Sequence, residues 1–165
     1  MNADPRVMEF FPSVRTRAET EEQVSRIRKH FDGHGFGYWA VEVPGVSPFI
    51  GFVGLKTTQF EAPFSPCIEI GWRLAFEHWG HGYATDGARA ALKFGFDTLR
   101  LDEIVSFTVP ANLRSRRVME RLGMVRSPAE DFDHPLVPTG HPLRRHVLYR
   151  LSRGQWKAIS DNSGD

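Results

Sequence analysis

Three sets of residues have types and spacings that could do chemistry. Gly80 and Gly82 lie inside the run CIEIGWRLAFEHWGHGYATDGARAAL, from Cys67 to Leu92, after a β-favouring stretch and before a long Ala-rich one. Without side chains at those positions a ligand can approach the main chain, and the first N–H groups of the following helix have no partner of their own. Added to the helix dipole, they make a binding site for an anion of diphosphate size. A G-x-G pair by itself is weak, because many such pairs are plain turns; placement between strand and helix gives it weight. Asn112 and Ser115, three residues apart, share one helix face and can reach one ligand, although an Asn there also reads as a simple helix cap. Glu69 stands between Ile68 and Ile70, so strand alternation turns it to the opposite face. A carboxylate at the centre of a strand is costly to bury unless it is paired or functional; the alternative is a surface residue on a half-exposed strand.

The elements that must position these groups follow from hydrophobic period and punctuation. Pro5 to Phe11 reads as a short helix halted by Pro12, and Thr16 with Glu19 forms a capping box that opens a helix over about 17–32, stopped before Gly33. Tyr38 to Val43 and Phe49 to Leu55 read as strands of an antiparallel hairpin around Pro44-Gly45, and a third strand runs from Cys67 to Leu74. The stretch from Tyr83 to Leu99 has apolar and small residues at three- and four-residue steps and reads as one amphipathic helix. Glu103 to Val109 is a buried strand, Asn112 to Leu122 a helix ended by Gly123, residues 128–142 a long loop, and His146 to Leu151 a last strand before a polar, frayed tail. This order predicts a mixed α/β, or α+β, sheet with helices on both faces in one domain over 1–165, of which 152–165 is tail.

Composition narrows the class. With 165 residues, 41% hydrophobic and 25% charged, the chain is long enough for one core and ordinary for a globular domain. Lys+Arg and Asp+Glu number 21 and 20, so no overall field points to nucleic acid. The basic cluster Arg114, Arg116, Arg117 and Arg121 reads as a solvated helix face or as local anion contacts. The one cysteine, Cys67, rules out an internal disulfide framework, suits a reducing compartment and reads as a buried structural thiol. No signal peptide and no membrane-length apolar run is present, so a cytoplasmic protein without membrane contact is expected. His134, His141 and His146 lie near Asp131 and Asp133, but their spacing fits no zinc pattern, and no metal is expected.

The glycine run also resembles the acetyl-coenzyme A loop of the GNAT N-acetyltransferases, Q/R-x-x-G-x-G/A, at Trp79, Gly80, His81, Gly82, Tyr83 and Ala84, with Thr85 following. Trp79 departs from Gln/Arg, and W-G-x-G-Y-A is similar to the branch of ribosomal-protein N-terminal (alanine or serine) acetyltransferases. A dinucleotide fold is the rival, but the third glycine of G-x-G-x-x-G is missing and Asp86 would set a carboxylate against the phosphates. Asn112-x-x-Ser115 with Arg117, Leu122, Gly123 and Met124 resembles the family's N-x-x-S segment, and the likeness covers about residues 3–151.

The resemblance implies a GNAT fold with a central, mostly antiparallel twisted sheet. It also implies acetyl-CoA as co-substrate, bound by Trp79 to Thr85, by Asn112 along the pantetheine arm and by Arg117, with His78, His81 or Arg116 as further phosphate contacts. A main-chain amide at Trp72, Arg73 or Leu74 is the implied oxyanion donor. Direct transfer to an amine then needs a base, for which Glu69 is the candidate, and a group that meets the departing thiolate, for which Ser115 is the candidate. Ser115 as a nucleophile is the rival use, but no G-x-S-x-G elbow surrounds it. The acceptor is a protein N-terminus or a small amine, selected by the loop from Ser127 to Leu143. A non-catalytic acyl-CoA-binding module and an interaction domain stay open as alternatives. In the family the D-P-x-V-M segment follows an opening strand and most of a helix, whereas three residues precede Asp4 here. The implied open sheet edge leads to the expectation of a homodimer.

Overall fold

The computed structural model describes residues 1–161. Helix α1, Arg17–His34, starts on the expected capping box, with the Glu19 N–H donating to the Thr16 hydroxyl and the Thr16 N–H to the Glu19 carboxylate. It runs through Gly33 and stops at Gly35, whose φ of 74° is the left-handed conformation that ends helices. Strands β1 (Tyr38–Val43), β2 (Ser47–Thr58) and β3 (Cys67–Leu74) are antiparallel neighbours. Helix α2, Tyr83–Lys93, leads through a wide π turn at Phe94–Thr98 to β4, Glu103–Thr108. Helix α3 (Leu113–Arg121), short strands β5 (Val125–Arg126) and β6 (Phe132–Asp133), β7 (Arg145–Ser152) and helix α4 (Arg153–Asp161) complete the chain.

The sheet order is β1-β2-β3-β4-β7-β5, with β6 pairing the other end of β7. Every pairing is antiparallel except β3 with β4. Cross-strand register divides the side chains between two faces. On one face Val53, Leu55, Ile70, Leu74 and Ile104 pack with Ala88, Ala91 and Leu92 of α2 in the main core. On the other, Phe52, Lys56 and Thr58 of β2 lie opposite Arg73, Glu69 and Cys67 of β3, next to a second cluster of Val105, Leu148, Phe132, Phe60, Phe64 and Phe107.

Four expectations need correction. Residues 5–11 form isolated turns, because Asp4 accepts from both the Arg6 main chain and its guanidinium and Pro12 ends the run before a helix can propagate. The helix expected to run to Leu99 loses α geometry at Phe94, where Leu99 N–H bonds back to the Phe94 carbonyl. The loop over 128–142 holds a strand, β6, that pairs Phe132 with His146 and Asp133 with Arg145. The tail is helical to Asp161, with Trp156 and Ile159 on one side packed against the main core; residues 162–165 lie outside the described residues.

Candidate active site

Gly80 and Gly82 both take left-handed φ, 82° and 87°. A Cβ at Gly80 would meet nothing within 4 Å, so backbone conformation and not crowding selects glycine there. Gly82 is the N-cap of α2 with no side-chain cap, and its carbonyl accepts from Thr85 and Asp86. Among the described residues the N–H groups of Gly80, His81, Gly82, Tyr83 and Ala84 donate to no main-chain carbonyl, which leaves five donors in a row at the positive end of a helix. Trp79 fixes this loop to the sheet: its indole N–H donates to the Leu74 carbonyl at 2.9 Å and the Arg114 guanidinium covers its ring.

The end of β3 held by Trp79 is also where the sheet opens. The β3–β4 ladder contains one bridge, Glu69 with Val105, although both strands continue past it. Beyond that point the Ser106 hydroxyl takes the Ile70 carbonyl at 3.0 Å in place of the main chain. Ala75 N–H donates to the Ile50 carbonyl, so by strand alternation the N–H groups of Trp72 and Leu74 turn away from β2 and into the fork between β3 and β4. Alternation gives the opposite result for Arg73: its main chain bonds toward β2, and its side chain leaves on the face away from α2. Of the β3 residues expected to meet a cofactor, the fork therefore brings together Trp72 and Leu74 but not Arg73.

Across the fork, Asn112 caps α3. Its carbonyl oxygen accepts from the Ser115 N–H at 3.2 Å and its amide donates to the Thr108 hydroxyl at 3.0 Å, so the cap that its residue type suggests is present. The Ser115 hydroxyl makes no hydrogen bond among the described residues. Arg116 is occupied with the Tyr149 hydroxyl and the Pro110 carbonyl, and Arg114 with Glu9, whereas Arg117 is exposed and forms no ion pair among the described residues.

The family model for the acetyltransferase (GNAT) domain matches residues 1–125. The chain belongs to the GNAT acetyltransferase family. A protein of Bacillus subtilis strain 168 named YkkB, described as uncharacterized, is 33% identical over 121 residues, covering 73% of this chain and 69% of that protein. The FsC-acetyl coenzyme A-N(2)-transacetylase of Aspergillus fumigatus is 32% identical over 131 residues, 71% of this chain, which spans 54% of that relative's length. Among solved structures, a GNAT-family acetyltransferase from Bacillus anthracis superposes with a TM-score of 0.73 at 26% identity, over 93% of this chain and 85% of that one. This GNAT protein is thus an acetyl-CoA-dependent N-acetyltransferase.

The face of the acetyltransferase sheet away from α2 carries the remaining polar groups. Glu69 has a side chain only 15% exposed, accepts from the Thr58 hydroxyl at 3.0 Å and lies 3.7 Å from the Lys56 ammonium. Burial pushes its pKa up, and Lys56 and Thr58 oppose that. Gly71 leaves the space in which the Tyr38 hydroxyl lies over the strand; a Cβ there would be 2.8 Å from that oxygen. Tyr38 feels both Glu69 and Arg73, and burial raises its pKa well above the ordinary value.

Sequence reasoning missed Tyr38, Lys56 and Thr58, since only the register of β1 and β2 brings them to Glu69. On the β4–β7 side, His134 and His146 have ring centroids 5.0 Å apart and pack on Phe107 and Phe132. Their Nδ1 atoms play opposite roles: that of His134 accepts from the Leu136 N–H, whereas that of His146 must donate to the Arg144 carbonyl. Burial lowers both pKa values, that of His134 to about 4. Cys67, expected to be buried, is only half-buried, and burial followed by the nearby Glu69 raises its thiol pKa to about 11.

Proposed function

We propose that this GNAT protein transfers the acetyl group of acetyl-CoA directly to a primary amine in a ternary complex, with the amine entering from the Glu69 face. The observation that carries this reading is that one end of β3 joins two sets of free main-chain donors. The turn over Gly80–Ala84 suits a diphosphate, and the N–H groups of Trp72 and Leu74 face the fork where a thioester would lie. Trp79, Tyr83 and Thr85 hold that turn, Asn112 lines the pantetheine path and exposed Arg117 meets a phosphate.

In the reaction, Glu69 takes a proton from the acceptor ammonium, directly or through water, and the neutral nitrogen attacks the acetyl carbon. Trp72 and Leu74 N–H groups receive the negative charge that develops on the carbonyl oxygen. As the carbon–sulfur bond breaks, the Ser115 hydroxyl gives its proton to the departing sulfur and regains one from the nitrogen, and the products are an N-acetylated amine and coenzyme A. The raised pKa of Glu69 brings this base closer to neutral pH than an exposed carboxylate. The likeness of W-G-x-G-Y-A to the ribosomal-protein branch, and the N(2)-transacetylase name of one relative, both favour an amine acceptor. The segment from Ser127 to Leu143, which puts Phe132 and His134 beside Phe107, shapes the acceptor side.

Thiol release from acetyl-CoA across a panel of amines tests the reaction. Turnover that requires an amine, falls strongly in Glu69→Gln and keeps acetyl-CoA affinity in that variant supports it; binding without turnover of any amine contradicts it. We also propose that two copies pair along β1, the sheet edge. Sedimentation showing only monomer across the accessible concentration range would contradict the pairing.

A further inference from the structure

Arg73 is 8% exposed, yet among the described residues no carboxylate lies within 4.0 Å of its guanidinium. An unpaired buried charge is expensive, so an arginine kept in this state needs a reason. Its surroundings hold it like a receptor. Phe11 and Phe52 lie against the guanidinium, with Cζ 4.2 and 5.4 Å from their ring centroids. Nη1 donates to the Asn2 side-chain oxygen at 3.0 Å, and Asn2 is itself fixed by Thr20 and Gln23 of α1. What is left over is the edge formed by Nε and Nη2. Nε is fully buried without a partner, and Nη2 makes no hydrogen bond among the described residues.

That edge has a known use within this same molecule. Arg6 grips Asp4, and Arg126 grips Asp131, through Nε and Nη2 in parallel, one to each carboxylate oxygen. Arg15, close enough to disfavour the charge on Arg73, feels Glu19 and Glu22 but forms no ion pair within 4.0 Å among the described residues. Arg73 thus stands, with a second guanidinium near it, on the face that carries Glu69, and the Tyr38 hydroxyl lies over Gly71 between Glu69 and Arg73.

We propose that the acceptor is an amine that also bears a carboxylate, and that the Nε/Nη2 edge of Arg73 receives this carboxylate while the amine reaches the fork beside Glu69. This rests on the acetyl-transfer reading above and narrows its substrate to amino-acid-like compounds. Arg73 is then a specificity residue: it touches the acceptor and takes no part in the proton transfers.

The test compares ω-amino acids of two to six carbons with n-alkylamines of the same chain length, in wild type, Arg73→Met and Arg73→Lys. For the best chain length, kcat/KM should favour the amino acid by more than about tenfold, the scale of one charged hydrogen-bonded pair. Arg73→Met should erase that preference, and Arg73→Lys, which keeps the charge but loses the fork, should raise KM with kcat little changed. Acetyl-CoA affinity should stay the same in both. Independently of turnover, hexanoate should raise the melting temperature of wild type but not of Arg73→Met. Turnover without a carboxylate preference, or a preference that survives Arg73→Met and Arg73→Lys, overturns the assignment. A hexanoate effect confined to wild type with no amine acetylated would instead keep the carboxylate site and remove the acetyl-transfer reading.

Discussion

The Ser106 hydroxyl donates to the Ile70 carbonyl at 3.0 Å, occupying the position where the next main-chain bond between β3 and β4 would form. Ser106 is 2% exposed, so its hydroxyl cannot be replaced by solvent without rearrangement. One side chain thereby holds the two strands apart while keeping the Ile70 carbonyl satisfied. Ser106→Ala leaves that carbonyl buried without a partner and should cost about 1–2 kcal/mol of stability in denaturant unfolding. The same variant should weaken acetyl-CoA binding, measured by calorimetry, because the fork loses its spacer.

Glycine substitutions separate conformation from space. Gly82, at φ 87°, should lose about 1–2 kcal/mol on change to Ala through left-handed strain, with acetyl-CoA affinity falling about tenfold as the turn shifts. Gly33 lies inside α1, where a Cβ would meet nothing within 4 Å. Gly33→Ala should therefore stabilise by about 0.5–1 kcal/mol and raise the melting temperature by about 2–3 °C.

Burial raises the Glu69 pKa, against the opposing pull of Lys56 and Thr58, so the deprotonated base accumulates at higher pH than for an exposed glutamate. The kcat/KM profile should rise with pH along a limb that starts later than for a free glutamate, and Glu69→Gln should remove the limb together with most of the rate. The stability sign is opposite to that of a salt-bridged acid. A raised folded pKa favours the native state at low pH and loses that benefit as pH rises through it, so Glu69→Gln should not destabilise the protein at neutral pH.

His134 and His146 predict acid sensitivity. With folded values depressed, that of His134 from 6.5 to about 4, the unfolded chain takes up protons that the native chain refuses. Stability should fall as pH drops from about 6.5 toward 4, and His134→Phe should flatten that slope in urea titrations at stepped pH.

Features written in local sequence were legible. The Thr16–Glu19 box, the β3 boundaries at Cys67 and Leu74 and the loop ending in Gly82 depend on residues a few positions apart, where chain geometry leaves little choice. What depends on register was not. Tyr38 reaches Glu69 and Arg73 only because it pairs with Gly54, which pairs with Gly71, and neither glycine leaves a trace of that stacking in the sequence. Arg73 falls between these cases. Grouping it with Trp72 and Leu74 as a main-chain donor hid what alternation states, that its N–H turns toward β2 and its side chain emerges on the other face. The helix at 153–161 was overlooked because its composition is polar, although Trp156 and Ile159 stand three apart on the side that meets the core.

Amide hydrogen exchange at residues 80–84, with and without acetyl-CoA, bears most directly on the diphosphate turn. Among the described residues those N–H groups have no main-chain acceptor, so they should exchange rapidly in the free protein and become protected when acetyl-CoA is added. Exchange at these amides that is unchanged by saturating acetyl-CoA, with protection appearing elsewhere in the chain, would contradict that placement.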